Sequence, residues 1–171
     1  MKELLSNVLD DILANVPKEK IDERVSLFKR NMHLLSYEVM ANPIGVKGIG
    51  KYIAKDSETS FAKYKKGAPV HVKAAINYNS LIDHWYEGKR YEKISNGTKI
   101  RWVYLKENTF GFDAIAFKGH EDPKEILELI KNHIDHNKMY EQAMSKKLGM
   151  FYKAMHWGGV EDKTTSMNRF F

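Results

Sequence analysis

Lysines crowd the middle of this chain. Lys47, Lys51, Lys55, Lys63, Lys65, Lys66 and Lys73 are opposed there only by Asp56 and Glu58, and Tyr52, Phe61, Tyr64 and His71 are interleaved with them. Flexible ammonium groups neutralise phosphates without reading base sequence. The plain alternative is a solvated face that binds nothing. A formal net charge of +6, with His71 and Lys73 expected to point outward from a strand, favours contact with a phosphate backbone.

Other clusters carry less. His133-Ile134-Asp135-His136 brings three potential metal ligands together, but a helix boundary is expected to intervene and no further His lies nearby. A metal hydrolase built on His133, Asp135 and His136 would require bound metal. Asp10-Asp11 lies on a helix, where adjacent side chains do not face each other. Glu121-Asp122 belongs to a helix start, so neither pair reads as acid/base machinery. The glycines of Asn42-Pro43-Ile44-Gly45-Val46-Lys47-Gly48-Ile49-Gly50 lack the spacing of a phosphate-binding loop. There is no Cys and no Gly-x-Ser-x-Gly. No catalytic residue is assigned.

The elements that must position these groups follow from the pattern. With 171 residues and 43% hydrophobic content the chain can bury a real core. No apolar run approaches a membrane span, and no signal-peptide pattern opens the chain. Leu4, Leu5, Val8, Leu9, Ile12 and Leu13 recur at helical spacing, and that helix should end near Asn15, ahead of Pro17. Ile21, Val25, Phe28, Met32 and Leu35 predict a second helix from Ile21. Tyr37 to Met40 reads as a short strand. Val70, Val72, Ala74 and Ile76 alternate with His71, Lys73 and Ala75, which predicts a half-buried strand. Asn96-Gly97 signals a turn. Strands are expected around Ile100 to Tyr104 and over Ala114 to Phe117. Asp122-Pro123-Lys124-Glu125 reads as a helix start with Asp122 as the capping acid. A last helix is expected from about Asn137 to Met155, ended by Gly158-Gly159. The fold class is α+β: a small, mostly antiparallel sheet with flanking helices.

The tail Thr164-Thr165-Ser166-Met167-Asn168-Arg169-Phe170-Phe171 sets a Met and a paired Phe behind a polar stretch. Each apolar side chain gains roughly 1.5–3 kcal/mol on finding a pocket. Such a tail either folds back onto its own domain or is held out for a partner groove, as in peptides that bind DNA sliding clamps.

Read in order, several segments resemble the C-terminal thumb region of family B DNA polymerases from T4-like bacteriophages. Lys65-Lys66-Gly67-Ala68-Pro69-Val70-His71-Val72-Lys73-Ala74 resembles that family's Lys-x-Pro-Phe-His-Ile-Arg-Gly stretch. Gly97-Thr98-Lys99-Ile100, followed by Tyr104-Leu105-Lys106-Glu107-Asn108-Thr109-Phe110-Gly111, is similar to its Gly-x-Lys-Val and Leu-Arg-Glu-Gly-Asn-Pro-Phe-Gly. Asp113 to Phe117 resembles its Cys-Ile-Ala-Trp strand, and Ile134-Asp135-His136 with Met139-Tyr140-Glu141 its Ile-Asp-His and Leu-Phe-x-Lys segment. Ala41 to Tyr52 is loosely similar to its Asn-Ile-Ala-Lys-Tyr region. The likeness runs from about residue 24 to 171. The chain departs from the pattern at Val70 (usually Phe), Ala74 (usually Gly) and Met167 (usually Leu).

The resemblance implies a polymerase-thumb-like fold with a clamp-binding tail. Residues 1–38 would be a helical segment docking the palm, 39–157 the thumb, and 158–171 a flexible tail with the clamp peptide. It implies DNA contact by Lys65, Lys66, His71, Lys73, Lys99 and Lys106, and clamp contact by Ser166, Met167, Phe170 and Phe171. The family's palm motifs, Asp-x-x-Ser-Leu-Tyr-Pro-Ser and Asp-Thr-Asp, are absent, as is its exonuclease region. The chain would therefore be the non-catalytic part of a DNA-directed DNA polymerase, with no cofactor of its own and Mg expected in the palm of a partner chain. Its partners would be that palm- and exonuclease-bearing chain, primer–template duplex and the sliding clamp, with no membrane, in the cytoplasm of an infected bacterial host. Both a separately encoded subunit and an excised domain fit, and a free-standing DNA-binding accessory protein of replication or repair is the alternative.

Overall fold

A computed structural model describes residues 2–54, 64–87, 89–119 and 121–159. In chain order the elements are α1 (Lys2–Leu13), α2 (Lys18–Asn31), a 3₁₀ turn (Met32–Leu34), α3 (Tyr37–Met40), β1 (Asn42–Gly45), α4 (Ile49–Tyr52), α5 (Val70–Tyr86), β2 (Lys99–Tyr104), β3 (Ala114–Phe117), α6 (Lys124–His133), α7 (His136–Tyr140), a π turn (Glu141–Ser145) and α8 (Lys146–Ala154). The fold is α+β with a three-stranded antiparallel sheet. Among the described residues no helix is long and apolar enough to cross a membrane.

The chain divides into two units. Tyr37–Asp135 forms one; Met1–Ser36 and His136–Phe171 together form the other. The segment from His136 therefore groups with the opening helices and not with the sheet.

In the sheet unit the strand order is β1-β2-β3, with Gly45 opposite Lys99, Asn42 opposite Trp102, Arg101 opposite Phe117 and Tyr104 opposite Ala114. Every residue of β3 is buried. Helix α5 lies against β3, and Tyr37 at the start of α3 meets Phe117 edge-on at 5.3 Å. Covering of this kind explains why β3 reads as a continuous apolar run instead of an alternating one. Asn77 of α5, fully buried, donates from Nδ2 to the Ala114 carbonyl at 2.8 Å and ties the helix to the strand. Gly97, at φ 92°, makes the turn into β2, and its N–H donates to the Val46 carbonyl.

Two expected strands are helices. Residues 70–76 open the 17-residue α5, and residues 37–40 form one helical turn. In α5 the buried positions include Val72, Ala75 and Ile76, and Ala74, Tyr78, Leu81 and Ile82. Val72 and residues 74–78 are all buried, so this part of the helix is enclosed around most of its circumference, and apolar residues at every second position there mimic a strand without sharing one face. Pro69 at the N-cap position presets φ for a helix start.

Smaller corrections follow the same logic. Helix α2 begins at Lys18, directly after Pro17, and not at Ile21. Asp122 does not cap α6, whose N-cap position is Pro123. Its carboxylate instead accepts the Lys118 and Gly119 N–H groups at 3.0 and 2.7 Å, closing the turn after β3. The expected helix from Asn137 to Met155 is present as α7, the π turn and α8.

In the helical unit, Leu4, Val8, Ile21, Val25, Met32, Met139, Met144, Leu148 and Tyr152 are buried. The π turn inserts one wide turn that keeps Met144 inward between α7 and α8. This core holds a charge: Asp22, 4% exposed, takes a hydrogen bond from the Tyr152 hydroxyl and an ion pair from Lys18 Nζ, each at 2.5 Å. Burial first, then the Asp22 carboxylate, raises the Tyr152 phenol well above its ordinary range, so it stays the donor.

Candidate nucleic-acid interface

The cations gather where the chain enters α5. Lys65 and Lys66 are exposed on the segment just before Pro69. The Lys65 N–H donates to the Tyr52 carbonyl at 2.7 Å, and Gly67 at φ 85° turns the chain toward the helix. Such a positive φ is cheap only without a Cβ. The backbone is thus pinned at Lys65 while both ammonium groups remain in solvent.

His71 and Lys73 occupy the first turns of α5 and are only half exposed. Burial lowers the His71 imidazole below its usual value, so at pH 7 it is neutral and offers a hydrogen bond, not a charge. Lys73 is drawn inward: Nζ lies 3.9 Å from an Asp113 carboxylate oxygen and 5.0 Å from the Tyr64 ring centroid. Neither residue projects from a strand as the sequence pattern suggested. Lys73 stitches α5 to the residue before β3, and its charge is already partly neutralised.

Lys106 belongs to a loop held by one side chain. Asn108 donates to the Lys106 and Phe112 carbonyls at 2.9 and 2.7 Å and accepts the Phe110 and Phe112 N–H groups at 3.1 and 3.2 Å. Phe110 stacks on Phe112 and meets Trp85 edge-on. The Lys106 N–H donates to the His133 carbonyl at 2.6 Å, and His133 Nδ1 donates to the Glu107 carbonyl at 3.0 Å. Lys106 itself is exposed, and it stands on a braced loop.

Lys99 starts β2 and is exposed. Lys106 lies seven residue steps along extended chain from it, a span of about 23 Å, so the structure does not gather all six candidates into one patch. Arg101 is exposed between them, two residues from Lys99 and hence on the same face of β2. Sequence reasoning passed over it because a lone Arg among Ile100, Trp102 and Val103 reads as the polar phase of a strand. Lys65, Lys66, Lys99, Arg101 and Lys106 are all exposed and make no ion pair among the described residues.

Lys55, Lys63, Ser166, Met167, Phe170 and Phe171 lie outside the described residues. Among the described residues, no group of three or more His, Asp or Glu side chains is placed to hold a metal ion. His133 is occupied with the Glu107 carbonyl. What the arrangement can do is electrostatic and hydrogen-bonding: two mobile cations beside a helix start, two on a strand face and one on a braced loop. No protein-family model matches the chain, and no curated protein matches it.

Proposed function

We propose that this chain is the non-catalytic thumb portion of a phage replicative DNA-directed DNA polymerase, gripping primer–template duplex by its phosphates. The observation that carries the reading is the pair Lys65 and Lys66, exposed beside the start of α5, within the segment that most resembles the family's DNA-contacting stretch. Two further points support it. Asn108, the organiser of the Lys106 loop, falls where the resembling motif also carries Asn. The cations stand on a pinned backbone, which suits a sequence-independent clamp.

The same reading gives the remaining parts their roles. Ser166, Met167, Phe170 and Phe171 tether the chain to the sliding clamp, and a linked second attachment raises effective concentration to roughly millimolar. The opening helices dock the palm-bearing chain. Leu9, Leu13 and Leu27 stand exposed there, apolar surface that a partner would cover.

The test is a salt titration of duplex binding. With five cations engaged, log K falls against log salt with a slope of about −4.5. Replacing Lys65 and Lys66 by Ala lowers the slope by about 2 and weakens all duplexes alike. Weakening confined to certain base sequences would overturn backbone contact. Tight duplex binding by the isolated chain, with no stimulation of a palm-bearing chain, would favour a free-standing accessory protein.

A further inference from the structure

Two cavities in the helical unit share a wall. One, about 310 Å³, is lined by Lys29, Arg30, His33, His136, Asn137 and Ser26 among others. The second, about 280 Å³, also reaches Ser26 and Lys29, and continues along Tyr140, Ser145, Leu148 and Tyr152. Among the described residues no carboxylate lines either one. Lys29 and Arg30 make no ion pair among the described residues. Lys29 stands at the junction, with its ammonium 5.8 Å from the Tyr140 ring centroid.

Lys29 and Arg30 both line one cleft, and an anionic occupant would offset two positive charges that have no acid beside them among the described residues. The donor set suits a phosphate. Arg30 offers a planar fork that matches two oxygens, Lys29 a point charge, and Asn137 and Ser26 neutral donors. His33 Nδ1 is already engaged, donating to the Arg30 carbonyl at 2.8 Å, so the cleft's donors are Lys29, Arg30, Asn137 and Ser26. The neighbouring cavity adds the rings of Tyr140 and Tyr152 and the apolar side chains of Val25 and Leu148, with hydroxyls at Ser26 and Ser145. A bare phosphate would leave it unused. A phosphate that carries a flat, partly apolar body would use both, and each volume is near the lower end of the ~300–1,000 Å³ of small-molecule sites.

We infer that this paired cavity binds a nucleoside phosphate, either free or as the end of a single strand, with the phosphate on Lys29 and Arg30 and the organic body toward Tyr140. The site lies wholly in the helical unit and shares no residue with the duplex grip proposed above, so the two readings fail separately.

The experiment is calorimetric titration of the full chain, in low salt without metal, with a deoxynucleoside triphosphate and with a 5′-phosphorylated oligothymidylate of six residues. One saturable site per chain is expected for at least one of them. The triphosphate alone would assign a free nucleotide, the oligonucleotide alone a strand end. Lys29→Gln with Arg30→Gln should weaken binding at least tenfold, Arg30→Lys less, and Lys65→Ala with Lys66→Ala not at all. Asn137 is exposed, so Asn137→Asp should fold, place a carboxylate in the cleft and weaken binding as strongly. It provides the decisive variant if the double substitution unfolds. No saturable binding of either probe overturns the assignment. So does binding that Lys29, Arg30 and Asn137 variants leave unchanged, or that Lys65 and Lys66 variants weaken equally.

Discussion

The two units solve the placement of charge in opposite ways. In Tyr37–Asp135 the interior is largely apolar: β3 and α5 bury Ile115, Phe117, Tyr78, Leu81 and Ile82, and Asn77 ties helix to strand through its Nδ2 alone. Its exposed candidates Lys65, Lys66, Lys99, Arg101 and Lys106 stand on loops and a strand face. In the helical unit a carboxylate, Asp22, is buried and then answered by Lys18 and Tyr152. The first arrangement leaves charge free to meet a ligand. The second spends a charge on holding helices in register, since a buried ion left without partners is strongly unfavourable.

The largest effect should come from the apolar interior. Phe117→Ala removes a fully buried ring that Tyr37 meets edge-on, and denaturant unfolding should show a loss of about 3–5 kcal/mol. In the helical unit, Tyr152→Phe keeps the ring and removes one partner of Asp22. A loss of about 1–3 kcal/mol is expected. A loss as large as that of Phe117→Ala would mean that the Asp22 pairing matters to the helical unit as much as ring packing does to the sheet unit.

Asn108→Ala sharpens the comparison from the side of the surface. It deletes a side chain that makes four hydrogen bonds to its own loop, so a cost of about 1–2 kcal/mol should accompany weaker duplex binding through a loosened Lys106. Lys65→Ala with Lys66→Ala should change stability by less than about 0.5 kcal/mol while lowering duplex affinity. The two variants thus separate holding the loop from holding the phosphate.

The smallest effect concerns His71. Burial depresses its pKa in the folded state below the ordinary 6.5. As pH falls below 6.5 the unfolded chain gains a proton that the folded chain resists, so stability from this residue is present above that pH and is lost toward acid. His71→Gln should flatten the decline of stability below pH 6.5. A steeper decline in the variant would show that His71 is charged in the folded state.

Legibility in the sequence followed the length of the pattern. The opening helix, the strands around Ile100 and Ala114 and the helix after Pro123 were readable because apolar spacing there persists or is bounded by Pro and Gly. Residues 70–76 misled because α5 is buried around most of its circumference there, so apolar residues at every second position look like a strand, and only Tyr78, Leu81 and Ile82 beyond them decide for a helix. The exposed Lys65, Lys66, Lys99 and Lys106 were visible as residue types in a basic stretch. The capture of Lys73 by Asp113 and Tyr64 was not, because forty residues of sequence separate Lys73 from Asp113. Arg101 was hidden by its apolar neighbours, and the cavity at Lys29 and Arg30 by its assembly from α2 and a segment over one hundred residues later.

The most direct test of the central claim is reconstitution. The chain is mixed with the palm- and exonuclease-bearing part of a T4-like phage polymerase, and primer extension is followed at rising salt. The account predicts little extension by either chain alone, extension by the two together, and loss of that extension at lower salt when Lys65 and Lys66 are Ala. Extension by the palm-bearing chain that this chain neither joins nor stimulates would contradict it.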